Sequence, residues 1–566
     1  SIRGIQSNRI VSTVKHFALN AQETGRMVVD ARIDEAALRE SDLFAFQRAI
    51  ELGDPGAVMC SYNKVNGDYG CENKPLFDIL RRDWKWKGWI MSDWGAVHST
   101  AKAANSGLDQ QMGEELDPHI WFGPMLKDAV ASGAVSEARV SEMARNILRS
   151  YFAKGVMDDP VKPGVTPDLA AGAPVTLDAA EKAMVLLKNR PGLLPLASNV
   201  RRIAVIGGHA DKGVYSGGGS SQVKPAGIVL LPPPSPAPTF IRAIYLHPSS
   251  PLAPLKAALP KATIVFDDGS DPARAAATAR KADLAIVIAS QFTMEGMDAE
   301  LKLDGAQDAT VAAVAAAQKN NVVVLQTGGP VLMPWLDKAG AVLQAWYPGG
   351  RGGEAIANVV TGKVNPSGRL PVTFPASLAQ LPNPELPGSR LPRPDKTGNA
   401  QPEPFAADYP EGADTGYRWF AKQGHKPLFA FGHGLSYTSF AHSGLSFDAA
   451  KMTASFTVRN TGARAGIDTP QLYLEPPGEA RRLVGWARAE LTPGASGSYQ
   501  VTIDPRRAAR FDTASKRWVV NPGSYRLVLA SNAGDAGQAI AVTMPRQEFA
   551  VDWRPKARLG EFTAGQ

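Results

Sequence analysis

Asp93 is the residue whose surroundings most favour chemistry. It lies in the segment WIMSDW, where an apolar run ends in an acid that is followed by the indole of Trp94. An acid at the end of a buried strand is suited to catalysis, and an indole beside it can stack against a sugar ring. The alternative is that the Asp93 carboxylate only caps the helix that follows it.

Lys15 and His16 end another apolar run, in the segment VKHF. A cation and an imidazole on one side of a site are suited to bind hydroxyl groups and to keep a nearby carboxylate ionised. The alternative for this dipeptide is a surface lysine beside a buried structural histidine. The residue types alone leave both roles open.

The first 155 residues must position these groups, and their pattern predicts parallel strands covered by helices. Strands are predicted at 11–17, 57–62, 88–92 and 108–112, and a helix at 34–51. Each predicted strand ends in polar or charged residues. Because ligands bind at the carboxyl ends of parallel strands, Lys15, His16 and Asp93 are expected on one rim.

The rest of the chain divides by composition and by hydrophobic period. Residues 176–375 contain continuous apolar runs, typical of parallel strands buried on both faces, and residues 443–550 contain short alternating strands, typical of an antiparallel β-sandwich. We further predict a linker at 156–175, a segment at 376–442 that wraps across domains, and a C-terminal tail at 551–566.

Composition excludes several classes of function. The chain has 61 Lys and Arg against 54 Asp and Glu, and this small surplus is scattered, which gives no support to nucleic-acid binding. No apolar run approaches the roughly 20 residues that cross a membrane. Eight histidines without an HExxH motif and only two cysteines indicate no zinc site, so we expect neither a metal nor a cofactor.

Eight motifs, taken in order, resemble those of the glycoside hydrolase family 3 β-glucosidases. They are VKHFALNAQETGR, VMCSYNKVNG, WIMSDW, GLDQQM, QAWYPGG, NPSGRLPVTFP, GYRWF and FGHGLSYTSF. The resemblance covers nearly the whole chain. It implies an α/β fold, with the C-terminal half of a TIM-like barrel at 1–155, an α/β sandwich domain at 176–375 and a fibronectin-type-III-like β-sandwich at 443–550.

The resemblance also assigns roles to residues. It implies that Asp93 is the nucleophile and that Glu295, in the segment MEGMD, is the acid/base. The implied substrate-binding residues are Lys15 and His16 on the sugar hydroxyls, Met59 and Tyr62 beside them, and Trp94 as an apolar wall. Ala299 stands where many members have Arg, and KLDG at 302–305 replaces the usual Leu-Pro-Gly, which leaves Glu300 as an alternative acid/base.

The implied activity is the retaining, exo-acting hydrolysis of β-glucosides and cello-oligosaccharides. One ionised carboxylate attacks the anomeric carbon, and a protonated carboxylic acid about 5–5.5 Å away gives its proton to the leaving oxygen. Asp93, near Lys15 and His16, is suited to stay charged. Glu295 is expected to have a raised pKa, to hold its proton until the attack, and then to act as a base on water.

Ser216 lies in a glycine-rich stretch that includes 207–210 and 217–219. This stretch contains neither GxGxxG nor GK[ST], so a nucleotide-binding loop is disfavoured. We interpret it as a loop whose backbone approaches a sugar, with Ser216 reaching the subsite of the leaving group.

Cys60 and Cys71 enclose a loop of 12 residues. Two buried free thiols are one interpretation. Resemblance to secreted relatives with cysteines in this loop favours a disulfide, and with it a periplasmic or secreted location.

Other functions on the same fold stay open. A β-xylosidase or a broader exo-β-glucanase differs only near the C6 carbon of the sugar, and a carbohydrate-binding subunit without catalysis is a third alternative. A branch that removes N-acetylglucosamine is disfavoured, because KHF is followed directly by ALNAQETGR. The expected partners are β-linked glucosides and oligosaccharides, with no nucleic acid and no membrane, and a homodimer is left open.

The count of strands implies half of a barrel. An eightfold barrel has eight βα units, whereas four are predicted before the linker, and the resemblance identifies these as the C-terminal half. Half a barrel would leave edge strands and an apolar interior exposed to water. We therefore expect an upstream segment of the same protein that completes the barrel, and the resemblance implies that this segment supplies an Asp and an Arg to the hydroxyls of the sugar.

Overall fold

The structure is a computed structural model, and it describes residues 1–162, 164, 166, 168–224, 226–233, 243–392, 402–555 and 563–564. Within these residues, no helix is both long enough and apolar enough to cross a membrane. Three layered domains and one segment that connects them make up the described chain.

The first domain alternates helices with short strands. Its helices are α1 (Ile2–Gln6), α2 (Glu35–Glu40), α3 (Asp42–Gly53), α4 (Lys74–Asp78), α5 (Ala101–Ser106), α6 (Pro124–Ala131) and α7 (Glu137–Ala153). Its strands are β1 (Thr13–Phe17), β2 (Asp30–Arg32), β3 (Ala57–Cys60), β4 (Lys64–Val65), β5 (Asp68–Tyr69) and β6 (Trp89–Met91).

Strands β1, β3 and β6 form a parallel sheet in that order, with β3 buried along its whole length. The predicted strand 108–112 is reduced to one parallel bridge between Met91 and Gln110. Here the Asp109 carboxylate fixes the backbone, because it accepts from the amide of Ile90 and from the guanidinium of Arg139.

These four strand positions are half of the eight in a closed TIM-like barrel, as predicted. The expectation that a further segment completes the barrel stays a prediction.

The predicted helix 34–51 is two helices. The Asp34 side chain caps α2 by accepting from the amide of Ala37. The break falls at Ser41, whose hydroxyl donates to the Ala37 carbonyl at 2.6 Å. A side chain that bonds back to the preceding turn competes with the helix for its carbonyls, a local effect that the apolar stripe does not reveal.

The second domain is a sheet with helices on both faces. Its helices are α8 (Leu169–Ala183), α9 (Leu252–Ala258), α10 (Pro272–Arg280), α11 (Gln307–Ala317) and α12 (Gly352–Thr361). Its strands are β7 (Val185–Asn189), β8 (Arg202–Ile206), β9 (Val214–Tyr215), β10 (Val229–Leu231), β11 (Ile244–His247), β12 (Thr263–Asp267), β13 (Leu284–Ser290), β14 (Asn321–Gln326) and β15 (Ala341–Gln344).

The main sheet of this domain has the order β12-β8-β13-β14-β15-β7, and β7 alone in this sheet is antiparallel to its neighbour. The continuous apolar runs predicted to be parallel strands are β8, β13 and β14, and each has buried residues facing both layers of helices. Loops after β8 and β13 leave the same edge of the sheet, which brings the glycine-rich stretch next to Glu295.

The predicted linker 156–175 is only partly irregular, because α8 begins inside it at Leu169. The Asp168 carboxylate accepts from the amides of Ala170 and Ala171 and so caps the helix. The alanine-rich residues that follow favour a helix strongly enough to include Pro174. The prediction weighted Pro and Gly content and missed this cap.

The segment 376–442 runs back to the first domain. Its strand β16 (Ala406–Asp408) pairs in parallel with β2, and it also contains helix α13 (Tyr417–Gln423). Residues 393–401 of this segment lie outside the described residues.

The third domain is the predicted antiparallel β-sandwich. Its strands are β17 (Phe440–Asp448), β18 (Thr453–Asn460), β19 (Gly466–Asp468), β20 (Gln471–Glu475), β21 (Arg482–Trp486), β22 (Ala489–Leu491), β23 (Ser496–Thr502), β24 (Arg510–Asp512), β25 (Arg517–Val520), β26 (Gly523–Ala530), β27 (Gln538–Met544), β28 (Gln547–Ala550) and β29 (Thr563–Ala564). Sheets β17-β18-β23-β29 and β21-β20-β26-β27 enclose its apolar core.

A buried ion cluster joins the third domain to the first. The Arg506 guanidinium, with no exposed surface, donates to both carboxylate oxygens of Glu51 in α3, at 2.6 and 2.7 Å. It also binds Asp504 at 2.8 Å, and Arg48 of α3 binds the same carboxylate at 2.9 Å. These contacts lower the pKa of Asp504 in spite of its burial. The relative position of the two domains therefore depends on buried charges.

We expect Arg506→Leu to lower the free energy of unfolding by about 3–5 kcal/mol, because it leaves Glu51 and Asp504 buried with too little positive charge. Chemical denaturation followed by circular dichroism measures the change. The matched control is Arg526→Leu, which removes a more exposed pair with Glu475 and should cost at most about 1 kcal/mol. Equal losses in the two variants would contradict this account.

Candidate active site

Asp93 follows β6 and is almost completely buried, with 3% of its surface exposed. Its Oδ2 atom lies 3.2 Å from Nε2 of His16, near the end of β1, and its Oδ1 atom accepts from the amide of Trp94 at 2.9 Å. The ends of two parallel strands thus bring the predicted acid and the predicted imidazole into contact.

Tyr62, just after β3, joins this pair. Burial raises the pKa of its phenol above the usual value, and the nearby negative charge of Asp93 raises it further. The phenol therefore stays protonated and uncharged beside Asp93. The guanidinium of Arg26 lies over the Tyr62 ring, 4.6 Å from its centroid.

Burial lowers the pKa of His16, and the charges of Lys15 and Arg26 lower it further, while Asp93 and Glu295 act in the opposite direction. The imidazole is therefore neutral at neutral pH. Its position among two cations and two carboxylates shows that the first and second domains contribute to one cluster.

Glu295 lies in the loop after β13, and all of its contacts favour the ionised form. Its Oε1 atom accepts from Nη1 of Arg26 at 3.0 Å. Its Oε2 atom accepts from the amide and from the hydroxyl of Ser220. Burial raises the pKa of Glu295, but the Ser220 and Arg26 contacts outweigh burial and lower the pKa to about 2.

The expected raised pKa of Glu295 is therefore wrong for this structure. The physical reason is that the charge and the donors come from Arg26 and Ser220, which are 269 and 75 positions away in the chain. The segment MEGMD gives no sign of either partner.

Arg26 and Ser220 are site residues that the sequence analysis did not single out. Arg26 is the last residue of the motif VKHFALNAQETGR, and its place in this motif is the feature of the sequence that could have indicated it. Ser220 ends the glycine-rich stretch. Ser216, the serine predicted there, donates instead to the carbonyl of Tyr245 at 3.2 Å.

The remaining predicted residues lie at the same rim or beneath it. Lys15 is exposed, and Met59 is buried in a small apolar cluster with Trp89. Trp94 is 37% exposed and packs on Gly113, where a Cβ atom would overlap the indole.

Glu300, the alternative acid/base, is directed to solvent. Its side chain is 70% exposed and pairs with Lys302 of the same loop. In this structure it takes no part in the contacts that join Glu295 to Arg26 and Ser220.

Cys60 and Cys71 form a disulfide, with their Cα atoms 5.1 Å apart. The bridge joins the end of β3 to the turn that begins at Gly70, and it encloses the segment that carries Tyr62. In the part of the chain that the structure describes, no cluster of three or more His, Cys, Asp or Glu residues could hold a metal ion.

Comparison with known proteins identifies the family. Residues 1–150 match the glycosyl hydrolase family 3 N-terminal domain, 184–437 match the C-terminal domain of that family, and 468–533 match a fibronectin type III-like domain. The chain is 34% identical over 560 residues to thermostable beta-glucosidase B of Acetivibrio thermocellus, with 94% of this chain and 69% of that relative covered. The chain belongs to glycoside hydrolase family 3. It is a hydrolase of glycosidic bonds.

Two further similarities describe this family 3 hydrolase. The solved structure of DesR, a β-glucosidase from Streptomyces venezuelae in complex with D-glucose, is similar with a TM-score of 0.84 and 30% identity, covering 96% of this chain and 83% of that one. The exo-alpha-(1->6)-L-arabinopyranosidase of Bifidobacterium longum is 31% identical, covering 96% of this chain and 70% of that relative.

We expect the double variant Cys60→Ser/Cys71→Ser to lower the free energy of unfolding by about 3 kcal/mol, because it removes a constraint on a loop of 12 residues in the unfolded chain. Chemical denaturation of the variant and of the oxidised wild type measures this. As a control, the wild type in reductant should unfold like the variant. Indistinguishable curves for the variant and the oxidised wild type would contradict the prediction.

Proposed function

We propose that this family 3 hydrolase is a retaining, exo-acting β-glucosidase that releases glucose from the non-reducing end of β-glucosides and cello-oligosaccharides. The observation that carries the proposal is that carboxylates from two domains reach one cluster. Asp93 of the first domain lies 3.2 Å from His16, and Glu295 of the second domain accepts from Arg26, whose guanidinium lies over Tyr62. Two carboxylates around one small polar cluster are what glycosidic cleavage requires. The named β-glucosidases among the similar proteins support the same substrate class.

In the first step, the Asp93 carboxylate attacks the anomeric carbon while the bond to the leaving oxygen breaks. Glu295, in its protonated form, gives its proton to that oxygen, and a covalent glycosyl-enzyme results. In the second step, Glu295 takes a proton from water, the water oxygen attacks the anomeric carbon, and Asp93 leaves as a carboxylate. The neutral imidazole of His16 lies 3.2 Å from Asp93, and the protonated phenol of Tyr62 carries no charge, so neither group repels the carboxylate before the attack or after its release.

The ionised form of Glu295 suits the second step, in which it is a base. For the first step it must gain a proton, so its contacts with Arg26 and Ser220 must weaken when the substrate enters. A sugar at Asp93 would also exclude water, which raises the pKa of a carboxyl group. We propose that the substrate itself shifts Glu295 from base to acid.

A pentopyranosidase is the second candidate, because the arabinopyranosidase relative is named for a sugar ring that has no C6 carbon. Hydrolysis of p-nitrophenyl β-glucoside, β-xyloside and α-L-arabinopyranoside, compared by kcat/KM, distinguishes the candidates. Cello- and laminari-oligosaccharides with product identification test exo action, and NMR of the first-formed anomer tests retention. We also propose a periplasmic or secreted location, which the Cys60–Cys71 disulfide supports.

We expect Asp93→Asn to reduce kcat at least about 10⁴-fold while glucose still binds, because the amide keeps the shape of the side chain but cannot attack. Steady-state kinetics and calorimetric titration with glucose measure the two effects. Asp158→Asn, at an exposed position, is the matched control and should leave both unchanged. Near-normal turnover in Asp93→Asn would exclude Asp93 as the nucleophile.

We expect Glu295→Ala to reduce kcat/KM for substrates with poor leaving groups by about 10²- to 10⁴-fold, and to affect 2,4-dinitrophenyl glucoside far less, because that leaving group needs no proton. Azide should restore turnover of the activated substrate by attacking the glycosyl-enzyme, and a glycosyl azide should accumulate. If Glu300→Ala gives this pattern and Glu295→Ala does not, the acid/base is Glu300.

A further inference from the structure

Two loops from different domains hold each other through main-chain amides. We name residues 22–26 the first-domain loop and residues 291–304 the acid loop. The Asp298 carboxylate of the acid loop accepts from the amide of Glu23 at 3.1 Å and from the amide of Thr24 at 2.6 Å. In return, the Glu23 carboxylate accepts from the amide of Gly296 at 3.0 Å.

This reciprocal clamp lies next to the contact between Arg26 and Glu295. Gly296 and Asp298 lie in the acid loop just after Glu295, and Nη1 of Arg26 donates to Glu23 at 3.1 Å as well as to Glu295 at 3.0 Å. Bonds from carboxylates to amides are charge-assisted and therefore stronger and more directional than neutral ones. The clamp therefore fixes the backbone of the first-domain loop and of the acid loop close to the contact between Arg26 and Glu295.

The base of the acid loop is held within the second domain. The amide of Phe292 donates to Asp304 at 2.7 Å, and the amide of Thr293 donates to the hydroxyl of Tyr347 at 2.7 Å. The next residues carry Glu295 away from this anchor and towards the first domain. The amide of Glu295 donates to the carbonyl of Gly218 at 3.3 Å, and beyond it the tip of the loop is held by the first domain, where Asp298 binds.

The first-domain loop is supported on its other side by the segment 376–442. Gln22 donates to the carbonyl of Pro387 at 2.9 Å. Gly25 has a φ of +65°, and a Cβ atom there would lie 2.5 Å from the ring of Phe405, so the turn requires glycine. A loop that is packed from behind is a firm surface for Asp298 to bind.

We propose that Asp298 is a positioning residue for the acid/base step: its clamp on the amides of Glu23 and Thr24 transmits the relative placement of the two domains to the Glu295 carboxylate. The inference rests on the proposed function, in which Glu295 is the acid/base. Asp298 itself touches neither substrate nor reacting atoms. Its effect is geometric, because proton transfer depends steeply on the distance between Glu295 and the glycosidic oxygen.

The test is the response of Asp298→Ala to the leaving group. A displaced Glu295 should lower kcat/KM for a poor leaving group, such as cellobiose, by about 10²-fold, and should change kcat/KM for 2,4-dinitrophenyl glucoside little. Azide should raise kcat on the activated substrate in this variant and not in the wild type. Asp298→Asn keeps one acceptor oxygen, so its kcat/KM for cellobiose should lie between that of Asp298→Ala and that of the wild type.

A double variant separates positioning from simple stabilisation. Asp298→Ala/Glu295→Ala should behave like Glu295→Ala alone, because there is no longer a carboxyl group to misplace. The proposal would be overturned if the losses of kcat/KM in the two single variants added up in the double variant. It would also be overturned if Asp298→Ala lost kcat/KM equally on both substrates and did not respond to azide, because the contact would then be merely structural. Lys302→Ala, which changes charge in the same loop at an exposed position, is the control and should match the wild type.

Two further measurements cover the cases in which Asp298→Ala does not fold or Glu295 is not the acid/base. If Asp298→Ala is unfolded by circular dichroism at the assay temperature, Asp298→Asn carries the test, and wild-type leaving-group dependence in a folded Asp298→Asn would overturn the proposal. If Glu295→Ala itself lacks the leaving-group dependence and azide response, the acid/base assignment fails. If Glu295→Ala has both and Asp298→Ala has neither, only the clamp is wrong.

Discussion

The Arg26 guanidinium is the group on which the arrangement of the site depends. It binds Glu23 of its own domain and Glu295 of the next, and it lies over the ring of Tyr62, which faces Asp93. A planar cation with several donors can make such contacts together, whereas an ammonium group is a single point of charge. Arg26 therefore links the two proposed catalytic carboxylates, and without it the acid loop would approach the first domain with an unbalanced negative charge.

A site shared between domains requires that the domains hold their positions. Strand β16 pairs with β2 beside the first-domain loop, and Arg506 binds Glu51 of α3 from the third domain. The second and third domains are joined in turn by Arg369, which donates to the Asp468 carboxylate of the third domain at 3.0 Å. His442, also of the third domain, binds the same carboxylate at 2.6 Å. Each junction is made by charged groups or backbone pairing, and these are directional, so they fix orientation as well as contact.

Local pattern predicted the parts of this enzyme that depend on near neighbours in the chain. Strands β8, β13 and β14 were predicted from apolar runs, and Asp93 and His16 were expected on one rim because parallel strands end at one edge. The cap at Asp168 and the break at Ser41 were missed because single hydrogen bonds decide them. The pKa of Glu295 was predicted in the wrong direction because Arg26 and Ser220 reach it only in the folded chain.

The low pKa of Glu295 gives a role to the second contact of Arg26, in which the guanidinium donates to Glu23 as well as to Glu295. With a pKa of about 2, Glu295 is almost never protonated at neutral pH, so the first step of the proposed mechanism would require that it leave Arg26. When it does, Glu23 remains bound to the guanidinium, and Arg26 keeps a counter-charge in a half-buried position. The contacts of Asp298 with the amides of Glu23 and Thr24 do not involve the Glu295 carboxylate, so in this mechanism they can persist while the Glu295 side chain turns towards the substrate. The free-energy cost of that rotation would then come from the contacts with Arg26 and Ser220 that Glu295 gives up.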